Sequence, residues 1–250
     1  MKSLTFLFFA LLLIACNHEA TKVDEWRGPD RSGIYNETGL LKSWPENGPG
    51  LIWETNDLGY GYGSPTLSGD RIFVMGTKDS TSSLLILNRE GKLLSETRAG
   101  NEWVVNYPGS RCIPTVVNDL VYVMTGKGDI TCIHANSGAI KWTCNMVTGF
   151  GGVTPRFGFS ESLLVDGEKV YCTPGGSENN VVALDRFTGK LIWSCQGKGE
   201  RPAYHPPRLI EHGTRKLLIT FSAYHLLAID AVTGKLLWTH EQVNTPVEKR

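Results

Sequence analysis

The chain has 250 residues, and its 25 Lys and Arg are balanced by 25 Asp and Glu, so the formal net charge is zero. Binding to duplex nucleic acid normally needs a cationic face, and no basic run stands out, so a nucleic-acid partner is not expected. The 28 glycines and seven tryptophans favour a turn-rich β protein.

The first 15 residues have the pattern of a secretory signal peptide. Lys2 provides a short charged head, and residues 4–14 form an apolar run that is too short to span a bilayer comfortably. Residues 13–16, Leu-Ile-Ala-Cys, match the bacterial lipobox, in which the cysteine becomes acylated. The alternative is an ordinary signal peptide followed by an incidental cysteine.

We therefore predict a lipoprotein signal peptide over residues 1–15, lipid attachment at Cys16 and a polar tether over residues 16–25. More than one acyl chain on Cys16 would hold the protein firmly on a membrane surface. Asn17 rather than Asp follows the cysteine, which favours the periplasmic side of the outer membrane over retention at the inner membrane.

Residues 26–49 are rich in Gly and Pro, which predicts an irregular segment along the side or base of the fold. Residues 50–55, Gly-Leu-Ile-Trp-Glu-Thr, resemble the last strand of a repeat unit without the three strands that would precede it. Trp53 stands at the aromatic position of that repeat.

A hairpin motif recurs along the rest of the chain. It is CIHANSGAIKW at residues 132–142, ALDRFTGKLIW at 183–193 and AIDAVTGKLLW at 228–238, with a worn copy, ILNREGKLLS, at 86–95. Each copy has an apolar run, a polar turn and a second apolar run, and the three full copies end in tryptophan. This pattern predicts two short strands joined by a tight turn.

The motif assigns a structural role to each of its recurring residues. An Asp side chain in the turn accepts hydrogen bonds from backbone amides, and glycine supplies the positive φ that closes the turn. The tryptophan offers a large apolar surface to the neighbouring repeat. The residues predicted to fill these positions are Trp53, Trp142, Trp193, Trp238, Gly138, Gly189, Gly234, Asp185 and Asp230.

The aromatic position, which is Ser95 in the worn copy, recurs every 45–51 residues, and a second strand pair precedes each hairpin. Four strands per repeat at this spacing predict an all-β fold, a β-propeller over residues 26–250 with about four complete blades and partial ones. Residues 244–247 resemble the opening of a further blade, so we expect a propeller that is incomplete at its C-terminus. A small propeller closed on about five blades is the alternative.

The loops that lead into the blades, which we call the connecting loops, comprise residues 59–64, 106–112, 154–160 and 201–206. They mix Gly, Pro, aromatic residues and Arg, which suits an anionic or sugar-like ligand or a partner's peptide strand. The alternative is that these residues serve loop packing and turn geometry. The candidate ligand-facing residues in and beside the loops are Arg111, Arg156, Glu161, Tyr204 and His205.

No catalytic set follows from the residue spacing. Five cysteines besides Cys16 include no CxxC, and their odd number excludes full pairing, so we interpret them as small buried hydrophobes. The histidines lack metal-ligand spacing, and no metal site is predicted.

The repeated hairpins, with WRGPDRSGIY at residues 26–35 and CTPGG at 172–176, resemble the PQQ-like (pyrroloquinoline-quinone-like) β-propeller repeat family. The resemblance extends from about Trp26 to the end of the chain and implies seven or eight blades in a complete propeller. The family includes quinoprotein alcohol dehydrogenases and the propeller lipoprotein of the outer-membrane β-barrel assembly machinery.

The resemblance leaves three functions open. The first is a non-catalytic scaffold that engages an envelope protein through strand edges and face loops. The second is a dehydrogenase that oxidises an alcohol or sugar with PQQ and calcium, for which Glu161 and Glu200 are candidate metal carboxylates. The chain lacks the adjacent cysteine pair that many such enzymes carry. The third is a carbohydrate-binding accessory protein, and the fold alone does not choose among them.

Overall fold

The structure is a computed structural model that describes residues 23–24, 27–28 and 31–242. The predicted signal peptide, the lipid attachment at Cys16, most of the tether, Trp26 and the opening of a further blade at residues 244–247 lie outside the described residues. Within the described part of the chain, no helix is long and apolar enough to cross a membrane.

Four antiparallel sheets follow one another along the described chain. Blade 1 consists of β1 (Val23–Asp24), β2 (Thr66–Ser68), β3 (Arg71–Lys78), β4 (Thr81–Asn88) and β5 (Leu93–Asn101). Blade 2 consists of β6 (Thr115–Val117), β7 (Leu120–Met124), β8 (Asp129–His134) and β9 (Ile140–Asn145). Blade 3 consists of β10 (Leu164–Asp166), β11 (Lys169–Cys172), β12 (Val181–Asp185) and β13 (Leu191–Cys195). Blade 4 consists of β14 (Arg208–His212), β15 (Arg215–Phe221), β16 (His225–Asp230) and β17 (Leu236–Glu241).

The sheets confirm the predicted all-β propeller blades. Blades 2, 3 and 4 each have four strands in sequence order, and in blade 1 the two-residue strand β1 adds a fifth beside β2. The only described helix, α1 (Met146–Phe150), follows β9 and is capped by the side chain of Asn145. Each predicted hairpin forms the last two strands of its blade.

The repeats share one hairpin register. Ala183 is paired with Trp193 and Ala228 with Trp238, and a register shift follows at once in both blades. The same pairing and shift occur in blade 2, where Cys132 lies opposite Trp142. A bulge at the same point bends the strand in the same way in each hairpin. The tryptophan side chains therefore project from their blades in equivalent directions.

The two ends of the blades differ in what they carry. In each blade, counted from β2 in blade 1, one turn joins the first and second strands and another joins the third and fourth. Both turns lie at the same end of the sheet, which we call the hairpin face. The turns between the second and third strands lie at the other end, together with the connecting loops, and we call this end the loop face. Of the predicted ligand-facing residues, Arg111, Arg156, Tyr204 and His205 belong to the loop face, whereas Glu161 is buried.

The core lies between neighbouring blades. Strand β7 of blade 2 is buried along its whole length, and Tyr122 at its centre has no exposed surface. Buried residues of blades 1, 2 and 3 form one apolar cluster, and those of blades 3 and 4 form a second. A single blade does not bury both of its faces, so its stability depends on its neighbours.

Trp142 and Trp193 each pack on the turn glycine of the following blade. A Cβ added to Gly189 would lie 2.7 Å from Cε3 of Trp142, and one added to Gly234 would lie 2.7 Å from Cδ2 of Trp193. Both glycines also have positive φ, +71° and +77°. The contact therefore requires glycine for two reasons, because the backbone is left-handed and the indole occupies the space of a side chain.

Hydrogen bonds fix Trp142 and Trp193 in place. The indole Nε1 of Trp142 donates to the carbonyl oxygen of Arg186 at 2.9 Å, and the hydroxyl of Tyr122 donates to the same oxygen at 3.2 Å. One blade further on, Trp193 and Tyr171 both donate at 3.3 Å to the carbonyl oxygen of Ala231. One carbonyl in each turn thus accepts two donors from the preceding blade.

The contact between blades 1 and 2 uses different residues. Ser95 and Phe73 stand where blades 2 and 3 have tryptophan and tyrosine, so neither supplies the corresponding hydrogen bond. Nη1 of Arg71 instead donates at 2.5 Å to the carbonyl oxygen of Ala135, the equivalent of Arg186. The hydroxyl of Thr97 donates to the carbonyl oxygen of Gly138 at 2.7 Å.

The two outer tryptophans of the series are exposed. Trp53 belongs to an irregular segment rather than a described strand, yet a Cβ on Gly91 of blade 1 would lie 2.7 Å from its Cε3 atom. Its indole therefore packs against the turn glycine of blade 1. Trp238 keeps the common register on β17, and 46% of its surface is exposed.

Candidate functional site

The connecting loops contact one another in chain order across the loop face. The amide of Tyr62 donates to the carbonyl oxygen of Ser110 at 2.7 Å, and the amide of Ser110 donates to that of Tyr60 at 3.3 Å. The amide of Phe157 donates to the hydroxyl oxygen of Tyr204 at 3.1 Å. The first loop thus contacts the second, and the third contacts the fourth.

Aromatic rings complete this series. The ring centroids of Tyr107 and Phe157 are 6.1 Å apart, and those of Phe157 and Tyr204 are 6.0 Å apart. Tyr62 lies against Gly109, beside Tyr107. We call this set the aromatic arc, and it comprises Tyr60, Tyr62, Tyr107, Phe157 and Tyr204. The arc draws at least one aromatic residue from each connecting loop.

The two predicted arginines of the loops have different surroundings. The guanidinium of Arg111 donates to the carbonyl oxygens of Tyr107 at 2.6 Å and Gly109 at 3.2 Å, so it braces its own loop. It also lies 5.9 Å from the ring centroid of Tyr62. Arg156 is exposed, and its guanidinium lies 5.3 Å from the ring centroid of Phe157, a stacked cation–π contact.

Glu161 lies inside the protein rather than on the loop face. Its side chain is 2% exposed, and Oε2 accepts hydrogen bonds from the amide of Thr173 at 3.0 Å and its hydroxyl at 2.7 Å. The other oxygen, Oε1, has no hydrogen-bond partner among the described residues. Burial raises the pKa of Glu161 to about 7, although the Thr173 hydrogen bonds and the charge of Arg31 act in the opposite direction.

Cys112 in blade 2 and His205 in blade 4 occupy the position that Glu161 has in blade 3. Each of these residues stands three residues before the first strand of its blade. Cys112 repeats the contact of Glu161, because its Sγ accepts the amide of Met124 at 3.3 Å. His205 is exposed and lies 5.5 Å from the ring centroid of Phe221. The five predicted ligand-facing residues therefore do not converge on one point.

The raised pKa makes Glu161 a source of pH-dependent stability. A carboxyl whose folded pKa exceeds its unfolded value of 4.5 contributes fully below that value, and the contribution is lost as the pH rises through about 7. Glu161→Gln keeps an acceptor for Thr173 and cannot ionise. We expect the variant to gain about 3 kcal/mol of unfolding free energy relative to the wild type between pH 4.5 and pH 8. Denaturant titrations of both proteins across this range measure the gain, and parallel pH profiles would contradict the assignment.

Two further carboxylates, one buried and one half-buried, join neighbouring blades. The repeat pattern did not predict this role for them. Glu102 follows β5, and it accepts the amides of Gly126 at 2.6 Å and Trp103 at 2.8 Å and the hydroxyl of Ser82 at 2.6 Å. Burial raises the pKa of Glu102. Because Gly126 belongs to the next blade, this carboxylate joins blades 1 and 2.

Glu200 makes the corresponding contact between blades 3 and 4. It accepts the hydroxyl of Ser222 at 2.5 Å and the amide of Tyr224 at 3.0 Å, and its Oε1 lies 2.6 Å from Nδ1 of His225. Burial alone would raise the pKa of Glu200, but these hydrogen bonds outweigh burial and hold it below its usual value. In the sequence, Glu102 and Glu200 share one feature: each follows the last strand of its blade.

Arg31 is a contact that lies outside the repeat. Its guanidinium donates to the carbonyl oxygens of Leu163 at 2.7 Å and Ser162 at 3.1 Å and to the hydroxyl of Thr115 at 3.0 Å. It therefore ties the N-terminal segment to blades 2 and 3 beside their first strands. No feature of the repeat could have indicated this partner.

The residues present do not fit a calcium–quinone site. Calcium takes six to eight oxygen ligands, whereas Glu102 and Glu200 accept hydrogen bonds at two different blade junctions and Glu161 accepts them within blade 3. Among the described residues, no group of three or more His, Cys, Asp and Glu is placed to hold a metal ion. We therefore derive no reaction step through PQQ or calcium.

The comparisons with known proteins agree with this architecture. Residues 80–249 match the family model described as outer membrane protein assembly factor BamB. A comparison with curated proteins found no match.

Solved structures share the fold at low identity. The quinohemoprotein alcohol dehydrogenase ADHIIG from Pseudomonas putida HK5 is 16% identical with a TM-score of 0.51, and the alignment covers 74% of this chain and 35% of that one. BamB from Moraxella catarrhalis is 20% identical with a TM-score of 0.47, covering 69% of this chain and 47% of that one. The chain thus spans less than half the length of either structure. Because the family match extends over more than half of the chain, the protein belongs to the PQQ-like β-propeller family described as outer membrane protein assembly factor BamB.

Proposed function

We propose that this protein is an exported, lipid-anchored propeller that acts as a non-catalytic interaction scaffold on the periplasmic side of the outer membrane. One observation carries the proposal. Arg111, Glu102 and Glu161 serve contacts within the chain, whereas the tyrosine rings of the loops remain exposed. A surface of this kind suits binding of a partner better than proton or electron transfer to a substrate.

Family membership and the N-terminal pattern support the envelope setting. The matched family model is described as an outer membrane protein assembly factor. The lipobox at residues 13–16 supports attachment of the chain to a membrane through Cys16. Together they favour an envelope protein as the partner.

The decisive experiment tests capture and cofactor binding on the same protein. We expect photo-crosslinking in intact cells, with a probe at position 107, to capture a defined envelope protein. A Cys16→Ala variant serves as the control, because it lacks the predicted lipid site and should lose this capture. We also expect the purified protein, titrated with PQQ and calcium, to show no calcium-dependent shift of quinone absorbance and no rise in Tm.

The alternatives predict different results. A calcium-dependent absorbance shift with a raised Tm would overturn the scaffold proposal and support a quinone-dependent dehydrogenase. Capture of no protein, together with retention of the chain on an immobilised polysaccharide, would instead support the carbohydrate-binding accessory.

A further inference from the structure

The connecting loops carry an excess of positive charge. Residues 59–64, 106–112, 154–160 and 201–206 contain three arginines and no Asp or Glu, although the whole chain is neutral. The acidic side chains that flank these loops in the sequence accept hydrogen bonds within the protein: Glu102 and Glu200 at blade junctions and Glu161 within blade 3. Glu102 also lies 4.0 Å from Nη1 of Arg111, so Arg156 carries the exposed charge beside the rings. The loop face therefore favours a negatively charged partner where the loops meet.

The aromatic arc is a continuous exposed surface rather than a scatter of single rings. Tyr62 is 65% exposed and Tyr107 is 68% exposed, while Phe157 and Tyr204 continue the row with centroid contacts near 6 Å. Scattered exposed apolar residues are ordinary, but a contiguous patch marks an interaction site. Tyr and Arg are also the residues that are enriched where proteins bind one another.

A small cavity opens beside the arc. It has a volume of about 280 Å³, and Arg27, Tyr62, Arg111, Ser160, Ser162 and Tyr204 are among the residues that line it. Guanidinium and hydroxyl groups in one cavity provide charge-assisted donors for a carboxylate. Its size suits one acidic side chain of a larger partner.

The spacing of the rings indicates the form of the partner. Alternate side chains of an extended peptide are about 6.6 Å apart on one side of the strand. The ring steps from Tyr107 to Phe157 and from Phe157 to Tyr204 are 6.1 and 6.0 Å, with interplanar angles of 59° and 46°. Tilted rings at this spacing contact one another and form a ridged surface on which successive side chains of the peptide can pack.

We propose that the aromatic arc binds an extended acidic segment of a protein partner. Apolar side chains on one side of the segment pack on the rings, and its carboxylates lie against Arg156 and in the cavity beside Tyr62. This inference rests on the proposed scaffold function and assigns it a surface and a partner chemistry.

The test uses synthetic probes and calorimetry. The probe is a nine-residue peptide in which Asp and Leu alternate, and the matched peptide carries Lys in place of Asp. We expect the purified protein to bind the acidic peptide at least about tenfold more tightly than the basic one, with affinity falling as salt increases.

Variants locate the binding surface. Arg156→Glu and Tyr107→Ala should each weaken binding of the acidic peptide by about tenfold or more, since each removes one kind of contact. Lys235→Glu changes the net charge by the same amount as Arg156→Glu but lies in an exposed turn on the hairpin face, so its binding should match the wild type. Equal Tm values for the variants separate loss of binding from loss of folding.

Three results would overturn the proposal. The first is equal binding of the acidic and basic peptides, and the second is unchanged binding by both arc variants. The third is arc-dependent binding of an oligogalacturonate with no binding of the peptide, which identifies a glycan partner.

Crosslinking in cells separates this proposal from the scaffold function. If Arg156→Glu captures the same envelope protein as the wild type, the scaffold stands and the arc proposal fails. If the wild type captures no protein but binds the acidic peptide through the arc, the arc stands and the scaffold fails.

Discussion

Gly189→Ala is expected to lower the free energy of unfolding by about 3 kcal/mol or more. The left-handed backbone at this residue, with φ of +71°, costs an alanine about 1 kcal/mol or more. The added Cβ would also lie 2.7 Å from Cε3 of Trp142, so the indole must move away from its packing position. Displacement breaks the hydrogen bond from Trp142 to the carbonyl oxygen of Arg186 and opens a gap between blades 2 and 3.

Gly213→Ala is the matched control for this variant. Gly213 has a φ of +60°, but no atom lies within 4 Å of the position of its added Cβ. The control therefore measures the backbone cost alone, about 1 kcal/mol. Urea denaturation of both variants gives the difference, and equal losses would show that the indole contact contributes nothing to the stability of the blade pair.

Trp142→Ala is expected to cost about 3–5 kcal/mol, the range found when a large buried aromatic is truncated. Trp142 is 8% exposed, packs near Tyr122 with ring centroids 6.2 Å apart, and covers the turn of blade 3. Removing it leaves a cavity between two blades and one donor fewer for the carbonyl oxygen of Arg186.

Trp238→Ala is the matched control. It distinguishes the loss of packing between blades from any general cost of removing a tryptophan from this hairpin. Trp238 has the same register in its hairpin as Trp142, yet 46% of its surface is exposed. We expect its replacement by alanine to cost about 1 kcal/mol, because less apolar surface is returned to water. The shift in denaturation midpoint measures both variants. A cost at Trp238 as large as that at Trp142 would mean that contact with the next blade is not the source of the effect.

The hairpins could be predicted because their chemistry is local. The Asp185 carboxylate accepts the amides of Phe187 and Thr188 in its own turn, and Asp230 does the same with Val232 and Thr233. These contacts involve residues a few positions apart, so one short motif determines turn, register and bulge. The regular spacing of the tryptophans then implies that each blade packs on the next.

The candidate site could be predicted only in its composition. The sequence places an arginine and aromatic residues in the connecting loops, but Arg111 turns back onto its own loop and Glu161 enters the interior. Whether a polar loop residue faces solvent depends on the neighbouring blade, which the local sequence does not encode. Arg31 is the extreme example, because its partners lie more than 80 residues away.

The contact between blades 1 and 2 lies between these extremes. Comparison of the repeats shows that Ser95 and Phe73 depart together from the pattern. The compensating bond from Arg71 is apparent only in the structure, because an arginine at the edge of a strand has many possible partners. Paired departures from a repeat are therefore useful places to look for a substitute contact.

The packing of one blade's tryptophan on the next blade's glycine gives the assembly a direction. Blade 2 supplies the indole and blade 3 the turn, and at the following junction blade 3 supplies the indole and blade 4 the turn. Blades 2, 3 and 4 each carry both halves of this contact, a turn glycine and a tryptophan, so duplication of one of these blades creates a new junction with the same contact. Blade number can change by whole units under this rule, whereas loss of one partner at a junction requires a compensating change across it.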